Sequence, residues 1–279
     1  MFLIITLVIC LTSQVLAAEV QIDFSAPAAS QGKTLAIYVD TDEVFDDCEA
    51  SFLGQKIKFY FVEGRFRGLF GIPPEQQPGN YKMEIDLTRE GGSPEKVEKW
   101  VDVKPTQFAS TWFRLKPAKK KLLVQDLIQD EWARIERILL ATDPEQHWSD
   151  EFILPGAGPV SMKFGTREYV NGKKRGQHRG LDLAVSSGTE IKAAENGKVV
   201  FAGKLKAFGG TVVIDHGQGV HTLYFHLSKF MKAVGEAVEE GEIIALSGNS
   251  GISSGPHLHW GMSVNNVRVD PLQWTKYAF

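Results

Sequence analysis

The sequence predicts a mainly β protein: an amino-terminal immunoglobulin-like β-sandwich, a linker helix and a carboxy-terminal antiparallel-β domain. Three observations predict it. Short runs of alternating apolar and polar residues, separated by glycine-rich turns, fill residues 19–104. A single stretch of helical period follows. From Phe152 short strand-like runs return, again broken by glycine, with no helical period of any length among them.

In the first region Val20-Ile22-Phe24, Leu35-Ile37-Val39, Ile57-Phe59-Phe61, Tyr81-Met83-Ile85-Leu87 and Val97 to Val103 alternate with polar neighbours, as half-buried strands do. Gly32, Gly54, Gly64, Pro78-Gly79-Asn80 and Gly91-Gly92 mark the turns. So many short strands in under a hundred residues point to a sandwich, which serves either as a spacer or as a module that places or covers the second domain. In the linker, Val124, Ile128, Trp132, Ile135 and Leu139 fall on one helix face. That helix is expected to end near Thr142, before Asp143-Pro144, and to dock most simply between the two domains. The expected boundaries are 1–17 for a secretory signal, 18–105 for the sandwich, 106–150 for the linker and 151–279 for the last domain.

Residues 1–17 join a short apolar run to small alanines, the pattern of a signal peptide, although no Lys or Arg precedes the run. Export follows, to the periplasm or to the outside and cell wall, with no stable membrane span once the signal is cleaved; the alternative is an uncleaved anchor, for which the apolar run is short. Cys10 leaves with the signal and Cys48 then has no partner, so it is expected to be a buried or free thiol. The formal net charge of −3 lacks the basic excess of nucleic-acid binders. Lys119-Lys120-Lys121 and Lys173-Lys174-Arg175 both read as solvated surface, and the second, just before His178, could also meet an anionic substrate.

The chemistry concentrates near the end. In Gly255-Pro256-His257-Leu258-His259-Trp260-Gly261 the two histidines share one face of an extended strand, and Leu258, Trp260 and Met262 take the packed face. Upstream, His178 and Asp182 sit on a turn entering a strand. Together with one histidine of the His-Leu-His pair they form a nitrogen, nitrogen, oxygen set that suits zinc with one position left for water. On the strand from Gly219 to Phe225 and beyond, His221 and His226 have opposite parity. Alternation groups His226 with Thr222 and Tyr224, and His226 is taken as the residue facing the site, His221 as a surface or packing histidine. His216 is given a turn role and His147 a place on the surface.

Three segments, His178-Arg179-Gly180-Leu181-Asp182, Tyr224-Phe225-His226-Leu227-Ser228 and Gly255 to Gly261, resemble the signature motifs of the lysostaphin/LytM-type zinc endopeptidases of bacterial cell walls. The likeness covers about residues 152–273, and the front β domain is similar to the small sandwich that precedes the peptidase in some exported members. Position 221 is histidine where these enzymes often have tyrosine. The resemblance implies a LytM-type peptidase fold for the last domain, with Zn2+ held by His178, Asp182 and His259, and with His226 and His257 in the active site without being primary ligands. It implies hydrolysis of peptidoglycan stem-peptide or cross-link bonds by zinc-activated water. His257 would accept the water proton and His226 would donate to the oxyanion, or the two roles would be exchanged. A non-catalytic cell-wall-binding regulator or activator of another hydrolase is the alternative, and a latent enzyme inhibited by its own front domain or linker is a further one. Asn171 is a residue that could reach the metal in that latent form.

Overall fold

The computed structural model describes residues 20–26 and 28–279, so the expected signal segment lies outside the described residues. The front domain is a two-sheet sandwich. One sheet orders Val20–Phe24, Thr34–Thr41, Arg65–Gly71 and Tyr60–Val62; the other orders Ala29–Ser30, Glu95–Lys104, Gly79–Thr88, Asp47–Phe52 and Gln55–Lys58. The inward positions of both sheets form one core around Ile37, Val39, Phe52, Phe70, Met83 and Ile85. Cys48 lies in it as a free thiol, and burial pushes that thiol up to about 12.

The run Ile57-Phe59-Phe61 is not one strand, as its alternation predicts. Ile57 belongs to the five-stranded sheet and Phe61 to the four-stranded one, and the chain crosses between them at Phe59. Phe59 is buried between the layers and its ring lies over Gly68, where a Cβ would meet the ring at 2.1 Å. Alternation continues through such a corner because both sheets bury the same face, so sequence alone does not see the crossing.

The linker first adds a strand, Ser110–Phe113, parallel to Arg167–Val170 of the last domain. Its helix runs over Gln125–Leu139, three residues short of the expected end. Ile135 and Leu139 pack on Phe201, Leu205, Val213, Leu223 and Phe225, with Trp132 at the margin. The helix therefore docks on the outer face of the last domain's sheet rather than between the domains. Five apolar side chains are available there to cover its stripe, and the space between the domains is already filled.

That space is filled by direct contact. Ala36 and Leu69 of the sandwich join the core of the last domain. Lys33 pairs with Asp270 at 2.6 Å, and Asn265 donates to the Leu69 carbonyl at 2.8 Å. At Gly71 a Cβ would lie 2.6 Å from Val267 Cβ, so the sandwich approaches the last hairpin backbone to side chain.

The last domain is built on an antiparallel sheet whose order is Val160–Met162, Leu181–Leu183, Leu258–Val264, Val220–Leu227, Gly209–Asp215, Gly197–Leu205 and Ala237–Val238. Val267–Val269 pairs with Leu258–Val264 off this path. A smaller sheet of Glu190–Lys192, Ile243–Leu246 and Lys229–Phe230 carries the loops around one end. Leu258, Trp260 and Met262 are fully buried on the packed face of their strand, as their parity requires.

Candidate metal centre

Register assembles the site. Leu181–Leu183 pairs antiparallel with Leu258–Val264 so that Asp182 stands opposite His259. His259 Nδ1 is 2.9 Å from Asp182 Oδ1. His178, in the loop just before Leu181, brings its Nε2 to 3.0 Å from the same oxygen. Gly180 between them has to be glycine, because a Cβ there would fall 2.5 Å from His259 Nε2 and 2.6 Å from the Trp260 carbonyl.

The donor atoms of His178, Asp182 and His259 lie within 4.8 Å of one another, and the residues fit a divalent metal. Bonds of 2.0–2.1 Å at tetrahedral angles place neighbouring donors roughly 3.3 Å apart, near the separations seen. His178 Nε2 is buried and has no hydrogen-bond partner, since it lies beside Asp182 Oδ1 without pointing at it. Its other nitrogen, Nδ1, is 2.8 Å from Glu168 Oε1, which makes Nδ1 the atom that keeps its proton and Nε2 the one that would give its proton up to bind a metal.

Charge favours a cation at this point. Burial would lower the His178 imidazole, but Asp182 and then Glu168 outweigh it and raise it to about 9. Burial would likewise raise Asp182, and the His178 and His259 imidazoles reverse this, holding its carboxyl well below the usual range. His259, whose burial dominates, is pushed down to about 4. The site thus holds two ionised carboxylates around a cationic His178 and a neutral His259, a charge balance in which a divalent cation could replace the His178 proton.

Two more imidazoles stand beside this cluster. His257 is bridged to Gly248 just before the strand Leu258–Val264, on the same face as His259, and its Nε2 is 3.8 Å from Asp182 Oδ2. Its Nδ1 donates to the Gly255 carbonyl at 2.8 Å, with Ser253 Oγ at 3.1 Å. The His226 ring lies 4.7 Å from that of His257 and 6.2 Å from that of His259. His226 Nδ1 donates to the Ser250 carbonyl at 2.8 Å.

Alternation does not bring His226 here. Phe225, not Tyr224, stands opposite His259, and the Tyr224 hydroxyl is buried in the core against the Ala194 N–H. The grouping of His226 with Thr222 and Tyr224 on the site face is therefore wrong. His226 reaches the site because its backbone is left-handed, φ +64°, past a register shift between Gly210 and Val212. Such a conformation costs on the order of 1–3 kcal/mol, which the packing around it offsets.

The other histidines stay outside. His221 is fully buried, 3.5 Å from Asp215, so of the two places expected for it packing is the one it has. His216 is equally buried rather than merely part of a turn, its ring bonded to the Asn196 carbonyl and to Thr222. His147 is partly exposed beside Asp143. Asn171 lies in the turn after Arg167–Val170 and accepts from the Leu115 N–H. Lys119 is not simply solvated: it donates to the carbonyls of Asn249 and Gly251 at 2.7 Å, on either side of the Ser250 that orients His226. Sequence reasoning did not find Glu168, whose only signal is an acidic residue in a short strand of mixed polarity.

The cluster opens into a cleft of about 540 Å³. Its walls come from all three parts of the chain: Pro73, Pro74 and Glu75 from the sandwich, Phe113, Trp132 and Glu136 from the linker, and the histidines from the last domain. Arg179, beside His178, makes a two-point ion pair with Glu75 across the domains at 2.8 and 3.0 Å.

The family model for peptidase family M23 matches residues 176–271, which hold His178, Asp182, His226, His257 and His259. The carboxy-terminal domain is a peptidase M23 domain. It is 39% identical over 113 residues to the DD-carboxypeptidase/endopeptidase Mpg of Neisseria meningitidis, covering 40% of this chain and 26% of that protein. It is 38% identical over 121 residues to lysostaphin of Staphylococcus simulans, covering 41% and 24%. The murein hydrolase activator EnvC of Escherichia coli is 34% identical over 120 residues, covering 43% and 28%. The chain thus spans about a quarter of the length of these curated relatives. A crystal structure of a Pseudomonas aeruginosa protein assigned to peptidase M23 matches 91% of this chain and 97% of its own, at 28% identity and a TM-score of 0.67. That likeness takes in the sandwich and linker as well as the M23 domain.

Proposed function

We propose that this chain is an exported zinc-dependent endopeptidase that hydrolyses peptide bonds in the stem peptides or cross-links of peptidoglycan. The observation that carries the reading is the complete His178-Asp182-His259 donor set with His226 and His257 beside it in one cleft. The similarity to Mpg and lysostaphin, a carboxypeptidase/endopeptidase and a peptidase, supports the reaction type and the substrate class.

Zinc held by these three residues would supply acidified water, its pKa lowered from 15.7 towards about 7, and would polarise the scissile carbonyl. The chain's own residues handle the proton. Because His257 gives its Nδ1 proton to the Gly255 carbonyl, its neutral ring presents Nε2 as an acceptor on the Asp182 side. We assign to Nε2 of His257 the proton of the attacking water, which it can return to the leaving amine. His226 is tied through Nδ1 to the Ser250 carbonyl, so it would donate to the oxyanion only through Nε2 and only when doubly protonated, a state that burial and then the neighbouring His257 and His259 imidazoles oppose by holding its pKa well below the usual imidazole range. The two rings are within reach of each other, and exchange of their roles uses the same two Nε2 atoms.

The Glu75–Arg179 pair and the walls from Pro73, Pro74 and the linker support a further part of the reading, in which the front domain restrains access to the cleft. Similarity to EnvC favours a second reading, a non-catalytic activator of another hydrolase; the full donor set argues against it. Incubation of the full-length protein with purified peptidoglycan, with chelator and then with added zinc, decides between them. New muropeptide termini that vanish with chelator and return with zinc are expected, and zinc-loaded protein that releases none would leave the activator reading.

A further inference from the structure

One guanidinium in the cleft has no part in the chemistry above. Arg268 lies on Val267–Val269, opposite Ser263 of the final long strand, and is 7% exposed. It lines the cleft together with His178, Asp182 and His259. Room for it comes from Gly261: residues 257, 259 and 261 share a strand face, and a Cβ at 261 would fall 1.8 Å from Arg268 Nη2. The row that begins His257, His259 is thus continued by a guanidinium in place of a third side chain.

Its contacts are all neutral. Nε donates to the Met262 carbonyl at 3.3 Å, Nη2 donates to the Arg179 carbonyl, and the Trp132 ring lies 5.1 Å from Cζ. The other two arginines of the cleft have carboxylates, Arg179 with Glu75 and Arg175 with Glu168 at 3.5 Å. Glu136, also in the cleft, accepts the Trp132 indole N–H at 2.6 Å. Among the described residues no carboxylate lies within salt-bridge distance of Arg268. A buried guanidinium that offers five donors and lacks a counter-ion is poorly compensated, and a carboxylate is the ligand its planar fork matches best.

We propose that Arg268 binds a carboxylate of the peptide substrate close to the bond that is cleaved. The substrates are then peptides with an ionised carboxylate beside the scissile bond, supplied either by the carboxy terminus of the stem peptide or by an acidic side chain within it. The inference rests on the peptide-hydrolase reading for the kind of substrate, but the binding it predicts can be measured without hydrolysis.

The test uses full-length zinc-loaded protein and three forms of one stem peptide: free acid, carboxy-terminal amide and side-chain amide. Binding is measured by calorimetry on the His257→Ala protein and kcat/KM on the wild type. One of the two amides should bind roughly tenfold to a hundredfold more weakly than the acid, the range for a buried hydrogen bond to a charged group, and which amide suffers identifies the carboxylate. Arg268→Gln should remove that preference while keeping zinc content, and Arg268→Lys should keep part of it. Equal binding of all three forms, or binding of none, overturns the inference, as does a preference that survives Arg268→Gln. If Arg268→Gln does not fold, the acid-to-amide ratio of the unsubstituted Arg268 protein still decides. Acid-selective binding without any cleavage sustains the inference and removes the hydrolase reading; cleavage without acid selectivity does the reverse.

Discussion

Asp182 stands directly opposite His259 on adjacent antiparallel strands, and one of its carboxylate oxygens lies 2.9 Å from His259 Nδ1 and 3.0 Å from His178 Nε2. Two of the three donors are therefore set by sheet register and not by loop conformation, which makes their spacing rigid. The other carboxylate oxygen is 3.8 Å from His257 Nε2, so the same side chain also faces the proposed base.

This division predicts two classes of variant. Asp182→Ala and His259→Ala should lose zinc, measured by metal content after dialysis, and lose muropeptide cleavage with it. His257→Ala and His226→Ala should keep zinc and lose cleavage by about a hundredfold or more, the usual weight of a general acid or base. Full cleavage by either of the latter would remove that residue from the mechanism.

Glu168 should matter chiefly through His178, its hydrogen-bonded partner, with Arg175 at 3.5 Å as a second charge beside it. It is buried, bonded to His178 Nδ1, and burial, which would raise its carboxyl, is outweighed by His178 so that it stays ionised. Glu168→Gln keeps the shape and removes the charge. Zinc affinity, read by competition with a chromophoric chelator, should weaken by about tenfold to a hundredfold, while kcat at saturating zinc changes little. An unchanged affinity would show that the orientation of His178 does not depend on this carboxylate.

How far these features could be read from sequence depends on the range of the interaction. The parity of His257 and His259 was legible because alternation is local, and it also placed Leu258, Trp260 and Met262 correctly in the core. The same rule failed for His226, where a left-handed residue breaks alternation and no nearby glycine signals it. It failed again at Phe59, where the strand changes sheets without interrupting the pattern. The docking of the linker helix, Glu168 and the filling of Gly261 by Arg268 join residues separated by 7 to more than 70 positions, and no local period records such pairs.

His216 makes the fold sensitive to acid. Burial pushes its imidazole down to about 3, and both ring nitrogens are used by the neutral form, one donating to the Asn196 carbonyl and the other accepting from Thr222. Since the folded value is below the unfolded one of about 6.5, the unfolded chain binds the extra proton as pH falls. The contribution of this residue is complete above about pH 6.5 and is lost towards pH 3, by about 1.4 kcal/mol per pH unit. Thermal unfolding followed from pH 7.5 to 4.5 should show a falling Tm, with a shallower fall in His216→Gln than in the wild type. Parallel curves would mean that other groups set the acid response.

The Glu75–Arg179 pair is the exposed contact through which the sandwich reaches the first motif, next to His178. An exposed ion pair contributes about 0–1 kcal/mol even with two-point geometry, so a restraint resting on it is weak and screened by salt. Glu75→Ala should raise kcat/KM on cross-linked muropeptides by no more than about fivefold at low salt. Added salt should bring the wild type towards the variant, because both then lack the pair, while zinc content stays constant. A variant slower than the wild type at low salt would instead make Glu75 a contact that shapes the cleft for substrate, and the front domain would then be a working wall of the site rather than a cover over it.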